Sequence, residues 1–126
     1  MRKAALFLLC AIAGFSVDWL DNYGEALELA KEQDKPILAI VMRQTCPYCR
    51  MLIEETLATK AIDEKIARGF IPLMLDTEEN PEQTAKSRLR AEAVPASFVL
   101  SPNGEVRATR IGYAPPMEYM RFLQTE

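Results

Sequence analysis

Lys35-Pro36-Ile37-Leu38-Ala39-Ile40-Val41-Met42-Arg43-Gln44-Thr45-Cys46-Pro47-Tyr48-Cys49 is the stretch on which the fold turns. From Pro36 to Met42 it is an uninterrupted apolar run of strand length. Beyond it, Cys49, Leu52/Ile53 and Thr56/Leu57 recur at helical spacing up to about Ala58. The two cysteines therefore stand where a buried strand hands over to a helix. This placement predicts Cys46 at the N-cap and Pro47 at the first helical position, where a missing N–H costs nothing. Two cysteines so spaced can close a disulfide on themselves. They can also hold another protein in a mixed disulfide and then release it.

The setting bears on reactivity. Only the thiolate attacks, and an ordinary cysteine titrates near ~8.5. Unpaired N–H groups and the dipole at a helix N-terminus favour an anion. Pro47 has no N–H to give, which leaves Tyr48 and Cys49 as donors. Arg43 and Arg50 flank the pair, and no acidic residue occurs between Ile37 and Ile53. Cys46 is thus expected to be the low-pKa nucleophile. Cys49, one turn inside the helix, is expected to be the buried resolving thiol, with Pro47 and Tyr48 tuning the pair.

The chain has 126 residues, 49% hydrophobic and 26% charged, which suits one globular domain and not two. Its start differs from the remainder. Arg2 and Lys3 precede the uncharged apolar run Ala4–Ala13, and Ala11-Ile12-Ala13 is a small-x-small pattern. These parts predict a signal peptide over 1–13, cleaved before Gly14, leaving a domain of 14–126. An uncleaved anchor or a buried helix is the alternative, and lipidation at Cys10 is disfavoured by the bulky Leu8 and Leu9 before it. Cleavage removes two basic residues and no acidic one, so the net charge moves from −3 to −5. That balance argues against nucleic-acid binding. It also removes Cys10 and leaves only the Cys46/Cys49 pair. The expected location is the periplasm, where disulfides persist.

Farther along, Asp21 or Asn22 is a cap for a helix over Tyr23–Gln33, broken by Asp34-Lys35-Pro36. Trp19 reads as an anchor packed on the domain surface. Thr59–Arg68 is helical, closed by Gly69, and Phe70–Leu75 is a second apolar strand. Asn80-Pro81 opens a helix to about Arg88 as cap and first-turn proline. Ala96–Leu100 and Glu105–Ile111 are strands joined by Ser101-Pro102-Asn103-Gly104, an Asn-Gly hairpin signal. Pro115-Pro116 opens a last helix with Met117, Met120 and Phe122/Leu123 on one side. Strand–helix–strand alternation predicts a parallel pair, and the hairpin adds an antiparallel one.

Three blocks together resemble the thioredoxin-fold proteins, within them the secreted bacterial thioredoxin-like group. They are Lys35-Pro36-Ile37-Leu38, the Cys46-Pro47-Tyr48-Cys49 motif, and the half from Asn80-Pro81 through Val94-Pro95 to Gly112. The likeness covers roughly residues 19–126. It implies an α/β thioredoxin fold, a mixed central sheet with helices on both faces. It implies a cis bond at Val94-Pro95 beside the cysteines, Val94 offering its backbone to a substrate chain and Pro95 shaping the groove. Two departures stand out. The aspartate that thioredoxins usually bury in the central strand is Ile40 here, so the usual proton relay to the resolving thiol is in question, and Glu54 and Glu55 read as a solvated face. Pro-Tyr is the glutaredoxin dipeptide, yet Gly112-Tyr113 replaces the Gly-Gly that glutaredoxins carry, so a glutathione site is not supported.

The resemblance implies a thiol–disulfide oxidoreductase acting on protein disulfides, without a cofactor, as a monomer. Other readings stay open. A disulfide donor of the same fold is one; a module binding a soft ion such as Cu(I) is another. Zinc is disfavoured because the chain has no histidine and no further mature cysteine. A purely structural disulfide is disfavoured because so small a loop removes little unfolded-state entropy. Strong donors carry a histidine between their cysteines, and Pro47-Tyr48 occupies that place. The expected direction is therefore reductive or isomerising, with a membrane electron donor keeping the pair reduced.

Overall fold

The computed structural model describes residues 17–124; the expected leader and its Cys10 lie outside the described residues. Helix α1 spans Tyr23–Gln33 and strand β1 Ile37–Met42. Helix α2, Pro47–Met51, runs directly into a π-helical turn over Leu52–Thr56. Helix α3 is Lys60–Gly69, strand β2 Ile71–Asp76 and helix α4 Pro81–Ser87. Strands β3, Ala96–Leu100, and β4, Val106–Ile111, precede helix α5, Pro116–Gln124. The spatial strand order is β2-β1-β3-β4. β1 pairs parallel with β2 and antiparallel with β3, and β3 pairs antiparallel with β4. The fold is the mixed-sheet thioredoxin fold.

The apolar run has a simple cause. β1 lies inside the sheet, all six of its residues are buried, and both faces are covered, so no polar alternation survives. Leu38, Ile40 and Met42 share one core with Cys46, Cys49, Leu52, Ile62, Ile66, Tyr119 and Leu123. Ile37, Ala39 and Val41 pack with Ala26 and Ala30 of α1 and with Leu73, Leu75 and Phe98. Helices α2, α3 and α5 thus cover one face, and α1 covers the other. Trp19 is half-buried and packs on the first core, as its anchoring role requires.

Local signals hold in most places. The Asn22 side chain accepts the Glu25 N–H at 2.9 Å and caps α1. Between β3 and β4, the Gly104 N–H donates to the Ser101 carbonyl at 2.8 Å, and Gly104 takes a φ of 91°. A side chain there would be strained and would meet the Tyr23 hydroxyl at 2.9 Å.

Three expectations need correction. Asn80 makes no side-chain cap on α4. The carboxylate of Asp76 instead accepts the N–H groups of Glu78 and Glu79, at 2.8 and 3.1 Å, and orders the preceding turn. The apolar side of α5 is Tyr119, Phe122 and Leu123, whereas Met117 is 73% exposed and Met120 half-buried. Periodicity alone cannot choose between two overlapping stripes on so short a helix; the sheet beneath it chooses. The helix after the cysteines is not regular to Ala58. It widens at Leu52–Thr56, where the Leu57 N–H reaches back five residues to the Leu52 carbonyl at 2.9 Å.

Candidate active site

β1 ends at Met42, and the turn after it sets Cys46 at the N-cap of α2 in an extended conformation, φ −91° and ψ 116°. Pro47 follows at the first helical position. The Cys49 N–H donates to Cys46 Sγ at 3.2 Å. On its other side the Cys46 thiol donates to the Val94 carbonyl at 3.6 Å, within the range for sulfur. The Val94-Pro95 bond is cis, as the resemblance implies, and Pro95 is buried. Its carbonyl accepts the Gly112 N–H at 2.7 Å, so the proline loop and the end of β4 form one wall.

The two thiols are unequal. Cys46 is 7% exposed and Cys49 fully buried. Burial pushes the Cys49 thiol up to about 12, with its hydrogen bond to Cys46 adding to the rise. A thiol in that state is a reserve and not a first attacker. Tyr48, 62% exposed, stands beside the pair as an open apolar surface. Shallow depressions flank α2, one lined by Thr45, Pro47, Arg50, Met51 and Glu54. A surface this open suits a chain lying across it better than an enclosed small molecule. No group of three or more potential metal-ligating side chains occurs among the described residues.

Tertiary structure changes the charge around the pair. Arg43 and Arg50 are exposed, and Arg50 meets Glu54 at 3.8 Å, a solvated pair worth little. Glu78 and Glu79 come from the turn after β2 to the loop that carries the nucleophile. Thr45 Oγ1 donates to Glu78 Oε1 at 3.5 Å, and Gln44 Nε2 to Glu79 Oε2 at 3.3 Å. The acid-free stretch of sequence is therefore not an acid-free surface. Nothing local to residues 37–53 signals this; the only trace is the acidic cluster Asp76, Glu78 and Glu79 closing an apolar strand.

Ile40, where thioredoxins bury an acid, is fully buried and in the same core as Cys49. Glu54 and Glu55 are both exposed, as expected for a solvated face. Glu55 Oε1 accepts the Tyr113 hydroxyl at 3.3 Å. Beside it, the buried Thr56 hydroxyl donates to the Ala114 carbonyl at 2.6 Å. The π turn carries both contacts and ties α2 to the segment after Gly112. The sequence places Thr56 on the inward stripe of the helix but does not show its bond, because a threonine on a helix gives no local sign of a partner 58 residues away. Thr56→Val keeps the shape and leaves the Ala114 carbonyl buried without its donor. It should cost about 1–3 kcal/mol in urea unfolding, whereas Thr56→Ser should remain near the wild type.

Two thiols of unequal exposure at the mouth of a helix, facing a cis-proline loop across a mixed sheet, are the arrangement of the thiol–disulfide oxidoreductase folds. Residues 23–125 match the thioredoxin-like domain, and the chain belongs to that family. Among solved structures, a thioredoxin from Thermus thermophilus superposes with a TM-score of 0.72 at 21% identity, covering 87% of this chain and 86% of that one. A disulphide isomerase from Xylella fastidiosa Temecula1 gives 0.58 at 26% identity over 68% of each chain. Spermatogenesis-associated protein 20 of Rattus norvegicus is 36% identical over 66 residues, 52% of this chain. This chain spans only 8% of the length of that relative.

Proposed function

We propose that the protein is a thiol–disulfide oxidoreductase acting on disulfides of other proteins, working in the reductive or isomerising direction in the periplasm. Cys46 attacks a substrate disulfide and becomes joined to one sulfur while the other leaves as a thiolate. Cys49 then attacks Cys46, closing the internal disulfide and freeing the second substrate sulfur. The substrate gains two electrons and the protein loses them. Pro47 and Tyr48 shape the exchange, and Val94 and Pro95 form the wall against which the substrate chain lies. The observation that carries this reading is the Cys46 sulfur held between the Cys49 N–H and the Val94 carbonyl, with Cys49 enclosed behind it.

Localisation rests on the basic start, apolar run and small-x-small pattern of residues 1–13. No helix among the described residues is long and apolar enough to cross a membrane. The pair is kept reduced by a membrane electron donor, and the protein acts as a monomer.

Insulin reduction by the reduced protein tests the activity, and insulin turbidity that develops no faster than in buffer is the result that would sink it. Direction is read from the potential. With no histidine between the cysteines to stabilise the reduced form, equilibration with glutathione buffers should give a value between roughly −180 and −270 mV, the span from isomerase to thioredoxin. A potential near about −120 mV, with oxidised protein in cells, reverses the direction and leaves the chemistry intact.

A further inference from the structure

The π turn lies just past the cysteines, and its contacts reach the far side of the site. An α-helix turns consecutive side chains about 100° apart. The widened turn at Leu52–Thr56, closed by the Leu57 N–H on the Leu52 carbonyl at 2.9 Å, alters that spacing. Two consecutive residues then meet one short segment. Glu55 Oε1 accepts the Tyr113 hydroxyl at 3.3 Å, and the Thr56 hydroxyl donates to the Ala114 carbonyl at 2.6 Å. Glu55 is exposed, so water can stand in for its bond. Thr56 and Ala114 are both fully buried, and there the bond has no substitute. Ala114 shares one core with Cys46 and Cys49. Two residues back, the Gly112 N–H is held by the Pro95 carbonyl at 2.7 Å. Gly112 takes a φ of 91°, so one left-handed residue sets the bend after β4. The Val94 carbonyl, just before Pro95, accepts the Cys46 thiol at 3.6 Å. These contacts close a circuit from Cys46 through Val94-Pro95, Gly112–Ala114 and Thr56, and back along the helix to Cys49.

Resting on the reading of Cys46 as nucleophile and of Val94 and Pro95 as the wall for a substrate chain, we propose that Thr56 is a positioning residue for polypeptide substrates, acting on that wall through Ala114 and Gly112. The Thr56 bond fixes Gly112–Ala114 against the helix, and Gly112 in turn holds the Pro95 carbonyl. Without the hydroxyl, the Ala114 carbonyl is left in the core with no donor from the helix. The segment then shifts to find one, and it draws Gly112 and the Pro95 carbonyl with it. The Cys46 sulfur is held by other contacts, its place at the N-cap of α2 and the Cys49 N–H at 3.2 Å. The two sides of the site thus depend on different bonds, the thiol on the start of α2 and the wall on the π turn. A small disulfide needs only the thiol. A polypeptide disulfide needs thiol and wall at a fixed separation. Thr56 therefore governs the preference for polypeptide over small disulfides.

The test compares two disulfides on the whole protein. Reduced protein reacts in separate runs with insulin and with the small disulfide dithionitrobenzoate, at a temperature where each variant keeps the far-ultraviolet spectrum of the wild type. The quantity read is the ratio of the insulin rate constant to the dithionitrobenzoate rate constant. Thr56→Val should lower that ratio about tenfold, since misplacement by about 1 Å can cost about a hundredfold. Thr56→Ser keeps the hydroxyl and should keep the wild-type ratio. A Thr56→Val ratio within about twofold of wild type overturns the proposal, because a merely structural role weakens both reactions alike. A Thr56→Ser ratio as low as that of Thr56→Val also overturns it, since the hydroxyl is then not the cause. Should Thr56→Val not fold, Glu55→Ala takes its place. It removes the weaker tie from an exposed position and should lower the ratio about threefold, and an unchanged ratio decides against the proposal. The nucleophile reading is checked separately. If Cys46→Ser still reacts with dithionitrobenzoate, that reading has failed. If Cys46→Ser is inert while Thr56→Val keeps the wild-type ratio, the oxidoreductase reading stands and the positioning role does not.

Discussion

Cys46→Ser should reduce disulfide exchange to the buffer background, a loss on the order of a thousandfold or more, because the other thiol among the described residues, Cys49, is fully buried and out of reach of a substrate disulfide. Cys49→Ser should behave in the opposite way. It retains the attacking sulfur and loses the internal exit, so mixed disulfides with substrates should accumulate and be visible on non-reducing gels. The contrast follows from geometry: Cys46 borders the surface at the helix cap, and Cys49 is sealed beneath it. Alkylation of the reduced protein at neutral pH should accordingly modify Cys46 first. Faster labelling of Cys49 would show that the two roles are exchanged. The trapping variant also identifies clients, since the bound partner can be released by reductant and sequenced.

The largest effect on stability should come from Tyr119, the largest fully buried side chain among the described residues. Its ring packs beside Phe122, with centroids 5.5 Å apart, and fills the core beneath the cysteines. Tyr119→Ala removes that volume and should cost about 3–5 kcal/mol, measured by urea or thermal unfolding. Tyr119→Phe keeps the ring and removes only the bond to Ser97, leaving a buried hydroxyl without that partner, and should cost about 1–3 kcal/mol. Near-equal losses in the two variants would mean that the bond, and not the packing, dominates. Burial also pushes the Tyr119 hydroxyl well above the usual tyrosine range. The sign follows directly. Since the folded state holds the proton more tightly than the unfolded state, this stabilisation is complete below the ordinary value near ~10 and fades as pH rises above it. Wild type should therefore lose stability in strong alkali more steeply than Tyr119→Phe.

Ile40 gives β1 a dry face against α2, which strengthens the core and leaves Cys49 without a carboxylate neighbour in that strand.

Much of this protein is determined by its sequence over short distances. The run Pro36–Met42 could be read as a buried strand because burial on both faces erases alternation. The bounds of α1 and β3 follow from Asn22, Asp34-Lys35-Pro36 and Ser101-Pro102-Asn103-Gly104, since caps, prolines and glycines act on the backbone within a few residues. The placement of Cys46 and Pro47 at the start of α2 is equally local. What only the tertiary structure decided involves groups far apart in the chain. The buried stripe of α5 was chosen by the sheet it lands on, which turned Tyr119 inward and Met117 outward. The acidic neighbours of the Cys46 loop, Glu78 and Glu79, arrive because β2 lies parallel beside β1 and ends level with it, Asp76 opposite Met42. The π turn at Leu52–Thr56 exists in company with the bond from Thr56 to Ala114, and no window of sequence contains both partners. Propensity, capping and turn chemistry are properties of neighbouring residues; charge environment, burial of one stripe over another and the state of the Cys49 proton depend on which distant surfaces the packed sheet brings together.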